Sequence, residues 1–194
     1  MRKPQRAVAL TACAVAALAL PATSVAGGGG IGTGGGGGDQ TTSGTKAKLK
    51  ANGKAIAPAS APRAVKKAIE AANSIDGAGY RMGGGHSSVT QRDSKYDCSR
   101  AVSYVLGPKG AGLVDRPMVS GDFARWGSSG KGNWITTYGD SGHAFVVIAG
   151  LRFDTSGGGS RTMSTRYGQA AGTGPRWRTR RSPAGYTRRH AAGL

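Results

Sequence analysis

Two segments of the chain carry apolar residues at the three- to four-residue spacing of an amphipathic helix. The first covers residues 63–75, with Ser60 as a candidate cap before it and Gly77 after it. The second covers residues 98–106 and is stopped by Gly107. The apolar positions of the two predicted helices are Val65, Ala68, Ile69 and Ala72, and Ala101, Val102, Val105 and Leu106.

A continuous apolar, β-branched run over residues 144–148 is typical of a buried strand. Residues 151–153 continue it as a partner strand after a turn at about residues 149–150. Before this hairpin, residues 107–142 are predicted to be mostly loop, with a short helix near residues 120–126. The pattern therefore predicts an α+β domain in which N-terminal helices pack on a short antiparallel sheet.

The first 26 residues have the pattern of a secretory signal peptide. A positive start precedes an apolar run over residues 7–20, and residues 24–26 place small side chains before a cleavage point at Gly27. The run is too short to span a membrane, and a buried helix is the alternative interpretation. Cys13 follows too few apolar residues for a lipoprotein signal. We expect an exported, cell-wall-associated protein without a membrane span.

The rest of the chain divides by composition into three regions. Residues 27–61 are rich in glycine, lysine and polar residues, which predicts a flexible tether without a core. Residues 62–156 hold the predicted helices and strands. Residues 157–194 begin rich in glycine and end rich in arginine, with Trp177 and Tyr186 among the arginines.

The charge of the chain indicates an acidic partner. Its 27 Lys and Arg against 9 Asp and Glu give a formal net charge of +18, which falls to +15 when the signal peptide and its three cations are removed. For an exported protein the matching polyanions are wall polymers, acidic lipid headgroups and the carboxylates of peptidoglycan peptides. The export signal argues against nucleic acid.

The arginine-rich C-terminal region allows three interpretations. Arginines interleaved with aromatic residues can stack on bases and contact phosphates. The same composition can bind wall polyanions. In the third interpretation Trp177 packs back on the domain while the arginines stay solvated. The predicted export favours the last two.

Cys98 is the candidate nucleophile. Cleavage of the signal leaves it as the single cysteine, so it cannot form an intramolecular disulfide. It lies at the start of the second predicted helix, where backbone amides favour a thiolate and can hold an oxyanion. A small buried cysteine at a helix start is the structural alternative.

His143 and Asp154 are the candidate base and its orienting partner. A cysteine nucleophile needs a base, and the base needs a group that holds its far nitrogen. His143 directly precedes the first strand of the hairpin, and any even-numbered turn places Asp154 on the same face of the sheet. A strand-end aspartate without a catalytic role is the alternative. One cysteine and three scattered histidines show no metal-ligand spacing, so we expect neither a metal nor another cofactor.

Three motifs together resemble the NlpC-type cell-wall cysteine peptidases, which are papain-like enzymes. They are Tyr-Arg-Met-Gly-Gly at residues 80–84, Asp-Cys-Ser at residues 97–99, and His143 followed eleven positions later by a polar residue. The resemblance covers about residues 62–156. It implies a papain-like domain in which Cys98 attacks an amide of the peptidoglycan stem peptide, with His143 as base and Asp154 as orienter.

The resemblance also implies supporting residues and three departures. Tyr80 and Ser99 correspond to positions beside the nucleophile that bind substrate or the oxyanion, whereas His86 has no family role and is expected in a solvated loop. Met82 replaces the usual tryptophan, and Arg100 replaces a glycine. A Gly-Asp-rich strand is not found before the histidine strand, so the first strand of the sheet is expected to be reduced to residues 134–137.

Two hypotheses follow from these observations. The first is a monomeric, exported cysteine hydrolase that cleaves peptidoglycan peptides. The second is a non-catalytic, cationic protein that keeps the fold and binds anionic wall polymers through its tether and C-terminal region. Reactivity of the Cys98 thiol distinguishes the two.

Overall fold

The computed structural model describes residues 41–84, 88–156, 174–178 and 180–194. The predicted signal peptide, the first part of the predicted tether and His86 lie outside these residues. The described residues all belong to the second of two units into which the chain divides, Gly38–Leu194. None of the helices in the described ranges has the length and apolarity that a membrane span requires.

Three helices and eleven strands form within the described residues. The helices are α1 (Arg63–Ile75), α2 (Cys98–Leu106) and α3 (Ser120–Phe123). The strands are β1 (Thr41–Thr42), β2 (Lys48–Leu49), β3 (Ala55–Pro58), β4 (Gly79–Tyr80), β5 (Lys95–Tyr96), β6 (Ser128–Ser129), β7 (Ile135–Gly139), β8 (Ala144–Ile148), β9 (Leu151–Asp154), β10 (Arg176–Arg178) and β11 (Thr187–His190).

The strands form three sheets around one core. The largest has the order β10-β9-β8-β7-β11-β6, with every neighbouring pair antiparallel, and it stays open rather than closing into a barrel. The smaller sheets have the orders β1-β3-β2 and β4-β5. Helix α2 packs against β8 and against α1, which in turn packs against β3. The predicted combination of a few helices with an antiparallel sheet is confirmed.

Helices α1 and α2 have the predicted bounds. The apolar stripe of α1 is buried, as predicted, and Gly77 follows it with a positive φ of 101°. Ser60 does not cap α1, because Pro62 occupies the cap position and the Ser60 hydroxyl donates to the carbonyl oxygen of Gly44 over 2.9 Å. Helix α2 has an acceptor at its start, where the Asp97 side chain accepts from an amide of the first turn.

The β8-β9 hairpin has the predicted two-residue turn. Ile148 lies opposite Leu151, which leaves Ala149 and Gly150 in the turn. Their φ values are 45° and 88°, as in the type I′ turns that match the twist of paired strands. This even-numbered turn sets the register on which the candidate site depends.

Strand β7 is longer than the predicted residues 134–137. It runs from Ile135 to Gly139 and pairs with β8 along its whole length. Gly139 lies against α3 so closely that a Cβ atom there would come within 2.8 Å of the Ser120 carbonyl oxygen. A glycine is therefore required where β7 ends, just before His143.

Residues 41–61 differ from the predicted tether, because they form β1, β2 and β3 and contribute to the core. The side chains of Ala47, Ala55, Ala57 and Ala61 are buried. The Ala47 amide also donates to the carbonyl oxygen of Ala149, which joins this segment to the β8-β9 turn. Alanine contributes little to a hydrophobic pattern, and the segment also contains several lysines, so its sequence resembles that of a linker.

The arginine-rich C-terminal region is built into the large sheet. Trp177 is fully buried, and its ring meets Phe153 edge to face at 5.0 Å between centroids. Its indole N–H donates to Asn73 Oδ1 over 2.9 Å. Arg176 and Arg178 are buried too, so the packing of Trp177 agrees with the third interpretation of this region, whereas the solvation of these two arginines does not.

The burial of Trp177 generates a stability prediction. Trp177→Ala should lower the free energy of unfolding by about 3–5 kcal/mol, because it empties a large core site. Trp177→Phe keeps much of the volume and should cost about 1–3 kcal/mol, because it leaves a smaller cavity and removes one of the two hydrogen bonds that Asn73 Oδ1 accepts, the other being from the Ala55 amide. Urea denaturation followed by circular dichroism measures both.

Arg188→Ala is the matched control in the same region. Arg188 is exposed on β11, and its removal should change the free energy of unfolding by less than about 0.5 kcal/mol. Equal stability of Trp177→Ala and Arg188→Ala would contradict the docked arrangement.

Candidate active site

Cys98 is the first residue of α2 and is partly exposed. The Asp97 carboxylate accepts a hydrogen bond from the Arg100 amide over 2.8 Å, which fixes the start of the helix. The amides of Cys98 and Ser99 are in the first turn of the helix, where an N–H group has no carbonyl of the helix to donate to. These two amides remain as donors beside the thiol, where an oxyanion can be held.

His143 is held by its backbone and by its ring. Asp140 Oδ1 accepts from the His143 amide over 2.6 Å, and the Asp140 amide donates back to the His143 carbonyl oxygen over 3.0 Å. The ring atom Nε2 lies 2.8 Å from Asp154 Oδ1. This contact confirms the predicted placement of His143 and Asp154 on one face of the hairpin.

Cys98 lies near the same imidazole, close enough to act on the pKa of the ring. Burial lowers the pKa of His143, but hydrogen bonds to Asp154 and Cys98 and the negative charges of both raise it from 6.5 to about 9. Because Nε2 is engaged by Asp154, Nδ1 is the nitrogen that remains for the thiol. With a pKa of about 9, the ring is protonated at neutral pH and can donate a proton on the side that faces Cys98.

Asp154 is the most heavily bonded group of the site. Its side chain is fully buried, and it accepts from Arg152 Nη1, from the Ser156 amide over 2.8 Å and from Arg181 Nη1 over 3.4 Å. Burial raises the pKa of this carboxyl, but hydrogen bonding to His143, together with nearby positive charge, holds it below its ordinary value. An ionised Asp154 accepts only, so His143 Nε2 is the donor in their hydrogen bond.

The C-terminal region supplies part of the wall around His143. The Tyr186 ring meets the imidazole edge to face at 6.2 Å and meets Phe145 at 5.1 Å. The Arg181 guanidinium lies 5.0 Å from the centre of the Tyr186 ring. Sequence reasoning missed Asp140, Arg152, Arg181 and Tyr186. For Arg181 and Tyr186, the only sequence signal was the presence of aromatic residues among the arginines. That composition does not indicate which strand the region pairs with.

Tyr80 lies beside the nucleophile and Ser99 is turned away from it. Burial, then the charges of Cys98 and Asp97, raise the pKa of Tyr80, so its hydroxyl stays protonated and can donate. The Ser99 hydroxyl is buried and donates to Asp97 Oδ1 over 3.2 Å. Its side chain therefore supports the helix start, and its amide is the part that remains for a substrate.

The departures from the family motif have different surroundings. Met82 is 81% exposed, and its sulfur accepts from the Tyr80 hydroxyl over 3.7 Å. An apolar side chain therefore lies in solvent next to Tyr80. Arg100 is buried, and its guanidinium lies 5.4 Å from the ring centres of both Tyr96 and Tyr104. The Arg100 guanidinium therefore packs against these two rings and is buried.

Within the part of the chain that the structure describes, no group of three or more His, Cys, Asp or Glu side chains is arranged to hold a metal ion. Comparison of the chain with protein-family models, with curated proteins and with solved structures found no match.

The raised pKa of His143 generates a pH prediction. The imidazole should titrate near pH 9 in an NMR pH series, because its protonated form is stabilised by Asp154 and Cys98. In Asp154→Asn the carboxylate charge is lost while burial persists, so the pKa should fall towards or below 6.5.

Asp122→Asn serves as the matched control, since Asp122 pairs with Arg125 at the surface and has no contact with His143 among the described interactions. The His143 titration should stay near pH 9 in this variant. A titration that is the same in Asp154→Asn and in the unaltered protein would contradict the described hydrogen bond.

Proposed function

We propose that this protein is an exported cysteine hydrolase that cleaves amide bonds in the stem peptides of peptidoglycan. The observation that carries the proposal is that one imidazole is hydrogen-bonded to the buried Asp154 and lies beside the Cys98 thiol. A structural cysteine needs no imidazole beside it, and a surface histidine needs no buried carboxylate behind it. The three groups together match a nucleophile, a base and an orienting acid.

The reaction proceeds in two steps in this proposal. The Cys98 thiolate attacks the amide carbon, the C–S bond forms, and the oxyanion faces the amides of Cys98 and Ser99 and the hydroxyl of Tyr80. The C–N bond then breaks as His143 gives its proton to the departing amine. In the second step His143 takes a proton from water, hydroxide attacks the thioester, and the Cys98 thiolate leaves.

The substrate class rests on charge and on the resemblance to NlpC-type peptidases. Stem peptides carry carboxylates, and the formal charge of +15 that remains after removal of the predicted signal peptide attracts them. The exposed Met82 side chain beside Tyr80 offers an apolar contact next to the nucleophile. A papain-like arrangement, membership in that family, export through the predicted signal peptide and a monomeric state all belong to this proposal.

A non-catalytic wall-binding protein is the second candidate. It is favoured by the excess of exposed cations and by the altered motif at Met82. It leaves unexplained why a buried carboxylate orients an imidazole that also contacts the Cys98 thiol. Activity measurements and thiol alkylation separate the two candidates.

Loss of the nucleophile is the first test. Cys98→Ala should lower the rate of muropeptide digestion by at least about 10³-fold, because no other group can form the acyl intermediate. Iodoacetamide should alkylate Cys98 rapidly at pH 7 in the unaltered protein and slowly in His143→Ala. Unchanged digestion by Cys98→Ala, or slow alkylation in both proteins, would leave the binding protein as the better account.

Loss of the orienting charge is the second test. Asp154→Asn should lower kcat by about 10²–10⁴-fold while KM changes little. The neutral amide no longer stabilises the imidazolium and can hold the neutral ring in the tautomer that is wrong for catalysis. Activity of the unaltered protein should fall as pH rises through about 9, where His143 loses the proton that the leaving amine requires. Asp122→Asn is again the control, and an equal kcat in the two variants would remove Asp154 from the mechanism.

A further inference from the structure

A second site lies on the face of the large sheet that points away from the helices. Side chains alternate along β8, so Ala144, Val146 and Ile148 join the core with α1 and α2, while Phe145 and Val147 face the other way. On that side they line a cavity of about 200 Å³. We call this cavity the outer pocket, and its principal walls are Lys46, Lys131, Trp134, Phe145, Arg180 and Arg181.

The outer pocket is strongly cationic. Five of its lining side chains are Lys or Arg, and none is Asp or Glu. Within the described part of the chain, Lys46, Lys131 and Arg180 form no ion pair. The other two cations, Arg152 and Arg181, share the Asp154 carboxylate, whose side chain is itself fully buried. A ligand in the pocket therefore meets positive charge that the described acids do not neutralise.

The cations come from separate segments that the fold brings together. Lys46 lies over the β8-β9 turn, since its Nζ atom would be 3.8 Å from a Cβ atom at Gly150. Lys131 precedes β7, and Arg180 and Arg181 follow β10. Charges that converge on one cavity from three segments form a localised site, unlike the scattered charges of a solvated surface.

The outer pocket also has an aromatic wall. The rings of Tyr138 and Phe145 both line the pocket and stack on each other at 4.5 Å, with an angle of 2° between their planes. Trp134 adds a third aromatic side chain. Tyr138 and Phe145 are buried, so the partly exposed Trp134 ring is the aromatic surface that a sugar or polyol can reach, whereas a bare inorganic ion would make no use of it.

We propose that the outer pocket binds a polyol phosphodiester, such as one repeat of an anionic wall polymer. Guanidinium and ammonium donors that approach from several sides suit the tetrahedral phosphate group, and the aromatic wall takes the adjoining polyol. A cavity of about 200 Å³ is smaller than a typical drug-sized site, so it accommodates one or two repeats. The choice of a wall polymer as the source rests on the proposed function, but the pocket contains neither Cys98 nor His143.

The outer pocket shares Arg181 with the candidate active site. Arg181 lines the pocket, and its Nη1 atom donates to Ser156 Oγ over 2.8 Å and to Asp154 over 3.4 Å. A polymer bound there lies on the far side of the sheet from the core-facing helices.

The test uses the full-length secreted protein and a synthetic glycerol phosphate oligomer at physiological salt. Binding is measured by isothermal titration calorimetry, with tryptophan fluorescence as a second readout because Trp134 lines the pocket. Lys131→Glu combined with Arg180→Glu should weaken binding at least about tenfold, since two like charges would face the phosphate. Cys98→Ala should bind as tightly as the unaltered protein, which separates this site from the hydrolytic one.

The charge-matched control is Lys109→Glu combined with Arg116→Glu, two exposed cations that do not line the outer pocket. This control should weaken binding by less than about threefold, because distant surface charges are screened by salt. Equal weakening by the two double variants would overturn the proposal and indicate diffuse attraction. No binding of the oligomer, or binding only to vesicles that contain phosphatidylglycerol, would overturn it as well.

Discussion

The carboxylate of Asp154 is fully buried and still ionised, which is costly unless every oxygen has partners. Its partners come from three places in the chain: His143 before β8, Arg152 on β9 and Arg181 in the C-terminal region. Removal of any one of them weakens the compensation of this buried charge. The orientation of the imidazole therefore depends on how three segments together satisfy one carboxylate.

The C-terminal region is consequently part of the domain. Trp177 fills the core beside Phe153, and β11 extends the sheet next to β7. Burial of Trp177 brings the chain back across the sheet, and the same segment then delivers Arg181 to Asp154 and Tyr186 to the imidazole. Stability and the geometry of the site thus depend on the same stretch of chain, so a loss of docking would disturb both.

The local patterns of the sequence were sufficient for the helices, the hairpin and the His143–Asp154 pair. Those features depend on nearby residues: the apolar stripe of α1, and the even-numbered turn that sets the parity of β8 and β9. The β1–β3 segment and the C-terminal strands could not be found in this way. Their burial depends on pairing with distant strands, and lysines and arginines hide the short apolar positions that make the contacts.

Positive charge has two separate uses in this domain. At Asp154, the cations of Arg152 and Arg181 stabilise an ionised acid that accepts from the His143 ring and raises its pKa. At the outer pocket, Lys46, Lys131 and Arg180 have no such acid among the residues that line the cavity. A protein that only binds polyanions gains from the second arrangement and has no need of the first. The first arrangement, in which buried charge orients an imidazole beside a thiol, therefore supports the proposed hydrolase, and the second supports the proposed binding of a polymer.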